Sequence, residues 1–240
     1  LRVVEAAQVD QGFDLAAAVA GFAVDLQCLL MTLQCVIEPA QFGLHQSVFN
    51  NTATAFLSGH KMPLQEAVDR LGLELPSGYI SEINLRLQPW IGELGRLISR
   101  GAALLVDYGY ERRDYYSPDR NSGTLLCHYR HHANTDPLYL PGMQDITAHV
   151  DFTAVADPAE SAGLAVSGYT SQAAFLLGCG IEQMLEGMAQ KQDAEWFALV
   201  EGFKRLVLPT EMGERFRVMA LTRGLQTAPE GFTQDMRFRL

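Results

Sequence analysis

The run Ala102-Ala103-Leu104-Leu105-Val106, followed at once by Asp107-Tyr108-Gly109, limits what this chain can fold into more than any other stretch. Apolar residues in an unbroken run of this length predict a strand covered on both faces. An acid at position 107 then falls at the strand's carboxyl edge, where open α/β sheets keep their ligands. Upstream, Ile83, Leu87, Trp90, Ile91, Leu94, Leu97 and Ile98 recur at helical spacing. They predict a helix over 81–100, with Ser81 as N-cap and Gly101 as the closing glycine. Helix, glycine turn and buried strand together set the class as α/β.

The rest of the chain adds to that unit. Residues 215–221 alternate Phe216, Val218 and Ala220 against Arg215, Arg217 and Met219, the pattern of a strand with two unlike faces. Helices are predicted over 63–73, 151–162 (closed by Gly163), 171–190 and 193–206, with a short strand at 164–166. Residues 111–145 read as a long polar connection, and such loops are usually functional. Residues 1–75 are poorly defined, an insert or a partial segment. Within them a hairpin is expected over 1–15, a helix over 16–37 and a loop near 50–60. The tail of a doubly wound sheet with an antiparallel last strand follows from this order, placing an α/β domain at 76–240.

Composition excludes some classes. Of 240 residues 48% are apolar, enough for a core, and the net charge of −10 argues against a nucleic-acid partner. No apolar run is long enough for a membrane span, since 16–37 is broken by Asp25, Gln27 and Gln34. Cys28, Cys35, Cys127 and Cys179 form no C-x-x-C pair, which predicts reduced thiols, an intracellular setting and no structural zinc. The chain opens on Leu1 without a leader, which predicts a fragment or a processed product.

Candidate chemistry gathers in the second half. No glycine-rich dinucleotide or phosphate loop is present, and Gly178-Cys179-Gly180 sits in an apolar stretch where its glycines serve packing. Cys179 lacks the cationic setting that activates a thiol and reads as a packing residue. His128, His131, His132 and His149 cluster with Asp145 and Asp151, either as a polar site wall, as structural groups or as metal ligands; adjacent His131 and His132 fit one ion poorly. Glu82, Asp107, Asp145 and Asp151 stand near element ends, where paired carboxylates hold a guanidinium or act as general base. Capping is the alternative for each, Asp151 above all. Arg112, Arg113, Arg120 and Arg130 read as a solvated or acid-pairing surface.

The strings G-Y-I-S-E-I (78–83), P-W-I (89–91), L-L-V-D-Y-G-Y (104–110), C-H-Y-R-H (127–131), D-I-T-A-H-V-D-F (145–152), S-Q-A-A-F-L-L (171–177) and E-M-G-E-R-F-R-V-M-A-L (211–221) occur in this order. Over 76–224 they resemble the MidA-like S-adenosylmethionine-dependent methyltransferases, a family that includes the mitochondrial complex I assembly-factor arginine methyltransferase. The resemblance implies the carboxyl-terminal part of a class I, Rossmann-like doubly wound sheet with a reversed last strand. It implies S-adenosylmethionine as cofactor, with Asp107 and Tyr108 bordering it, and Glu82 as a substrate-binding group. Asp145, His149 and Asp151 would form the catalytic, acceptor side. A protein arginine is the implied acceptor, in a respiratory complex I subunit or its equivalent. The place is the bacterial cytoplasm, or the mitochondrial matrix in a eukaryote. The family's E-x-G-x-G-x-L turn and N-E-x-x-D-A-x-P string are not found in residues 1–75. That departure predicts that this chain alone binds the cofactor weakly or not at all, and that it self-associates through an unpaired sheet edge or an exposed apolar face. The alternative is a non-catalytic assembly or interaction module that keeps part of the fold.

Overall fold

The structure is a computed structural model that describes residues 62–188 and 194–240. Its elements are α1 (Met62–Leu71), α2 (Leu87–Leu97), β1 (Gly101–Tyr110), α3 (Arg112–Tyr115), β2 (Leu126–Tyr129), β3 (His132–Asn134), β4 (Asp145–Thr147), β5 (Val150–Asp151), α4 (Phe152–Ala156), β6 (Ala165–Ser171), α5 (Gln172–Gly178), α6 (Ile181–Met188), α7 (Ala194–Val207) and β7 (Phe216–Arg223). The expectations for residues 1–60, and for Cys28 and Cys35, lie outside the described residues.

The main sheet has the order β5-β1-β7-β6. β7 runs antiparallel to β1 and to β6, so the last strand is reversed as the order of elements predicts, while β5 joins β1 in parallel at Gly109 and Tyr110; β7 is buried on both faces rather than on one. Side-chain alternation along β1 splits its apolar run between two layers. Ala103 and Leu105 bury against Ile91 and Leu94 of α2, Phe152 and Val155 of α4, Tyr169, Met219 and Leu221. Leu104 and Val106 pack on the other face with Phe175, Leu176, Ile181, Leu206 and Val218. Both faces are therefore covered. Each fully buried Leu, Ile or Phe among them contributes roughly 1.5–3 kcal/mol.

Several boundaries differ from the sequence expectation, each for a physical reason. The helix expected over 81–100 begins only at Leu87, so Ser81 is not its N-cap. Residues 81–84 take no regular structure, and just before them Ile80 bridges to Ser122 and donates its N–H to the Asn121 carbonyl at 3.0 Å. The Asn84 side chain accepts from the Arg86 N–H at 3.0 Å and starts the helix there. Gly101 opens β1 with φ 144°, and Ile98 is the residue that ends the helix. The helix expected over 151–162 stops at Ala156, since Pro158 cannot continue it, and turns carry the chain to Gly163 at φ 71°. The segment 171–190 divides into α5 and α6 around Gly178-Cys179-Gly180, where Gly178 lies against the Gly231 backbone; its glycine serves packing, as expected. The strand near 164–166 is longer, running to Ser171.

The largest difference lies in 111–145. In place of a structureless connection, β2 pairs antiparallel with both β3 and β4 in a second, three-stranded sheet. No described helix is long and apolar enough to cross a membrane.

Candidate active site

One face of the small sheet closes over the carboxyl end of β1. Leu126 pairs with Thr147 and His128 with Asp145 across β2 and β4, so these four side chains share a face. With Tyr108, Thr124, Arg130, His131 and His149 they line a cavity of about 640 Å³. A smaller cleft of about 370 Å³ between α2 and the turn at Ser161-Ala162 lies at the other end of β1, away from these groups.

His149 sits in this wall with its ring 5.2 Å from the Tyr108 ring, edge-on, and 5.2 Å from the Tyr110 ring. Its backbone N–H donates to Thr124 Oγ1 at 3.0 Å, which fixes where the ring begins. Its Nδ1 is buried with no hydrogen-bond partner. Burial is the main force pushing its pKa down, with the Arg120 guanidinium adding to it and Asp107 and Glu82 opposing. A neutral imidazole at pH 7 is the result. The Arg120 guanidinium carbon stands 3.8 Å over the Tyr110 ring, so that ring face already receives a guanidinium.

A pH prediction follows from the depressed pKa. Folded His149 refuses a proton that the unfolded chain takes up near pH 6.5, so its contribution is fully present above that pH and is lost as acid is added. Urea unfolding at pH 7.5 and 5.5 should show a smaller loss on acidification for His149→Gln than for the parent chain. An identical loss in both would mean that His149 titrates normally.

The expected site residues are not all brought together. Tyr108, Asp145 and His149 line the cavity. Asp107 does not. β1 continues three residues beyond it to Tyr110, so Asp107 is not at the strand's edge, and alternation turns its side chain to the face opposite Tyr108. Burial raises its carboxyl pKa, and Oδ1 accepts the Tyr108 N–H at 2.9 Å. Asp151 also stands outside the cavity lining, one residue before α4. Its Oδ1 accepts the Ala154 N–H at 3.0 Å as N-cap, and Oδ2 lies 3.5 Å from Arg112 Nε. Glu82 does not line the cavity either, but braces Thr124, which does. Its carboxylate accepts from Thr124 N and Leu125 N at 3.0 Å, from Thr124 Oγ1 at 3.1 Å and from Tyr115 Oη at 3.3 Å.

His128, Arg130 and His131 also line the cavity, residues whose types alone point only to a polar cluster or a charged surface. Within β2 only Leu126 and His128 alternate around buried Cys127, and Arg130 lies beyond the strand in a left-handed turn. Burial pushes the Cys179 thiol up to about 11, which suits its packing role. Among the described residues, no three of His, Cys, Asp and Glu converge to hold a metal ion.

A covered α/β sheet with a reversed last strand, and a polar cavity at the end of β1, fit the Rossmann-like methyltransferase fold, and two solved structures that superpose on the chain place it in that class. The chain belongs to the family described as "Putative S-adenosyl-L-methionine-dependent methyltransferase", whose profile matches residues 31–170. That match begins upstream of the 76–224 stretch that carries the resemblance to the MidA-like enzymes. Among curated proteins, the bovine "Protein arginine methyltransferase NDUFAF7, mitochondrial" is 37% identical over 135 residues, 55% of this chain and 29% of its own length. The Drosophila melanogaster homologue is 31% identical over 159 residues, 61% of this chain and 33% of its own. An uncharacterized protein of known structure from Burkholderia thailandensis superposes with TM-score 0.70 at 37% identity, covering 74% of this chain and 48% of that one. A second from the same organism, solved with S-adenosyl-homocysteine bound, gives TM-score 0.67 at 38% identity over 73% of this chain and 46% of that one. The chain thus spans about a third of the curated relatives and about half of the solved ones.

Proposed function

We propose that the protein carrying this chain transfers a methyl group from S-adenosyl-L-methionine to an arginine of a protein substrate, and that the cavity at the end of β1 receives that arginine. The convergence of Tyr108, Asp145 and His149 on one cavity carries this reading. The names of the mitochondrial relatives support arginine as acceptor. The resemblance adds a respiratory complex I subunit or its bacterial equivalent as the substrate, in the mitochondrial matrix or the bacterial cytoplasm.

Asp145 supplies the charge that holds a guanidinium, and the Tyr108 ring supplies an aromatic face for it. Methylation of a guanidinium nitrogen releases one proton. Neutral His149 is the base placed to take it. Asp151 and Glu82 act through the scaffold: one starts the helix behind β5, the other fixes the 124–125 wall. For the methyl donor the fit is partial. Tyr108 reaches the cavity, Asp107 stands on the other face, no glycine lines the cavity, and residues 1–75 hold no E-x-G-x-G-x-L string. The donor's ribose and carboxylate are therefore not assigned to residues of this chain.

Transfer of labelled methyl to an arginine-containing protein substrate tests the reading. Asp145→Asn and His149→Gln should each lower kcat/KM about tenfold to a hundredfold with folding unchanged, since a charge-assisted contact is worth roughly 1.5–3 kcal/mol. Full activity per folded molecule in both variants would remove this cavity from the chemistry. No transfer by the intact, folded protein would favour the interaction-module alternative.

A further inference from the structure

The tip of the β2–β3 hairpin is built in a way that a plain turn would not be. Tyr129 pairs with His132, which leaves Arg130 and His131 as a two-residue hairpin loop. Both have positive φ, 46° and 66°. Loops of this kind favour Asn-Gly, Asp-Gly or Gly-Gly, because two consecutive left-handed residues strain most other side chains. Arginine and histidine are costly choices for the turn, and both line the cavity. Arg130 is exposed at the rim, its guanidinium carbon 5.3 Å from the Tyr129 ring, and it forms no ion pair with a described residue. The chain as a whole carries net charge −10, so a cationic rim here runs against its average field. Asp145 lies in the same wall, opposite His128 on β4. The cavity is thereby bipolar, with an acid within it and a basic tip at its edge.

We propose that Arg130 and His131 form a carboxylate-reading subsite, which binds an acidic side chain flanking the acceptor arginine in the protein substrate. This rests on the reading of the cavity as the acceptor site. The guanidinium offers paired N–H donors matched to a carboxylate, and the His131 ring adds a further donor beside it. The strained turn keeps both side chains on the cavity rim at the expense of stability. Substrate choice is then set by charge order: cationic acceptor toward Asp145, anionic neighbour toward the tip.

The test uses two peptides, acetyl-Asp-Arg-Asp-amide and acetyl-Asn-Arg-Asn-amide, titrated against the chain while the imidazole resonances of His128, His131 and His149 are followed by NMR. The Asp peptide should bind about tenfold tighter, although the chain's net charge repels it. Arg130→Gln should abolish the preference while leaving the turn as it is. Arg130→Asn with His131→Gly should abolish it too, and should raise Tm, because that pair suits the turn. Equal binding of the two peptides by the parent chain, or a preference that survives Arg130→Gln, overturns the subsite and leaves the acceptor reading standing. A lower Tm for the Asn-Gly variant overturns the strained-turn basis. If neither peptide shifts His149, the acceptor reading falls and the subsite with it.

Discussion

Glu82→Ala should cost about 3 kcal/mol of stability and lower Tm by roughly 10 °C, the first figure set by unmade hydrogen bonds and the second by the scaling for a chain of this size. Its carboxylate gathers Thr124 N, Leu125 N, Thr124 Oγ1 and Tyr115 Oη around two oxygens. Removing it leaves two backbone N–H groups in a half-buried turn without the acceptor they use. Burial drives the Tyr115 hydroxyl pKa well above its ordinary value, so that group stays protonated and loses its acceptor as well. Damage should spread to the cavity, because Thr124 is also the residue that accepts the His149 N–H. Glu82→Gln keeps one oxygen acceptor and should lose about half as much. Chemical denaturation measures both. A Glu82→Ala protein of parental stability that fails only in substrate binding would return Glu82 to the ligand-contacting role its position in G-Y-I-S-E-I suggests.

The legible parts of this chain were those where burial imposes a period. The 102–106 run marks β1 because it fills two apolar layers, and the 215–221 alternation marks β7 as a strand although both of its faces are buried, Val218 in one layer and Met219 and Leu221 in the other; those two strands form the longest pairing in the sheet. Tyr108, Asp145 and His149 were singled out through the strings around them, and the fold brings all three to one cavity. The small sheet was not found. Its strands are three or four residues long, too short for alternation to stand out among Arg, Asp and His. The same brevity hid the hairpin tip, since Arg130-His131 is not a sequence that signals a two-residue turn. Asp107 was misplaced for a different reason. An acid after an apolar run looks like an end, yet cross-strand pairing with Arg217 carries β1 past it. Glu82 and Asp151 were found as acids near element ends, but what the backbone demands of each is visible only once Thr124 and Ala154 are placed.

Gly109→Ala should be more costly still, by about 3–5 kcal/mol, although alanine is ordinarily the better residue in a strand. Exchanging glycine for alanine at a compatible backbone position stabilises by roughly 0.4–1 kcal/mol through the unfolded chain. Gly109 has no positive φ to forbid it, so the sign depends on space alone. There is none. A Cβ at 109 would meet the Val150 carbonyl oxygen and amide nitrogen, with the Phe152 ring beside them. Backbone cannot swing aside as a flexible side chain can, so β5 must part from β1 and withdraw Phe152 from the main core. His149 immediately precedes β5, and its ring is held between Tyr108 and Tyr110 on the strand being pushed away. The variant should therefore lose the ring-current shift of the His149 imidazole in step with its stability. It should also lose methyl transfer even under conditions where most molecules remain folded. Gly92→Ala is the control, since nothing lies within 4 Å of a Cβ there and a helical alanine should be stabilising by up to about 1 kcal/mol. If Gly109→Ala matches that control in stability, and the His149 resonance stays where it was, then β5 is not pinned to β1 as closely as the structure shows. The cavity wall would then owe its position to the small sheet alone.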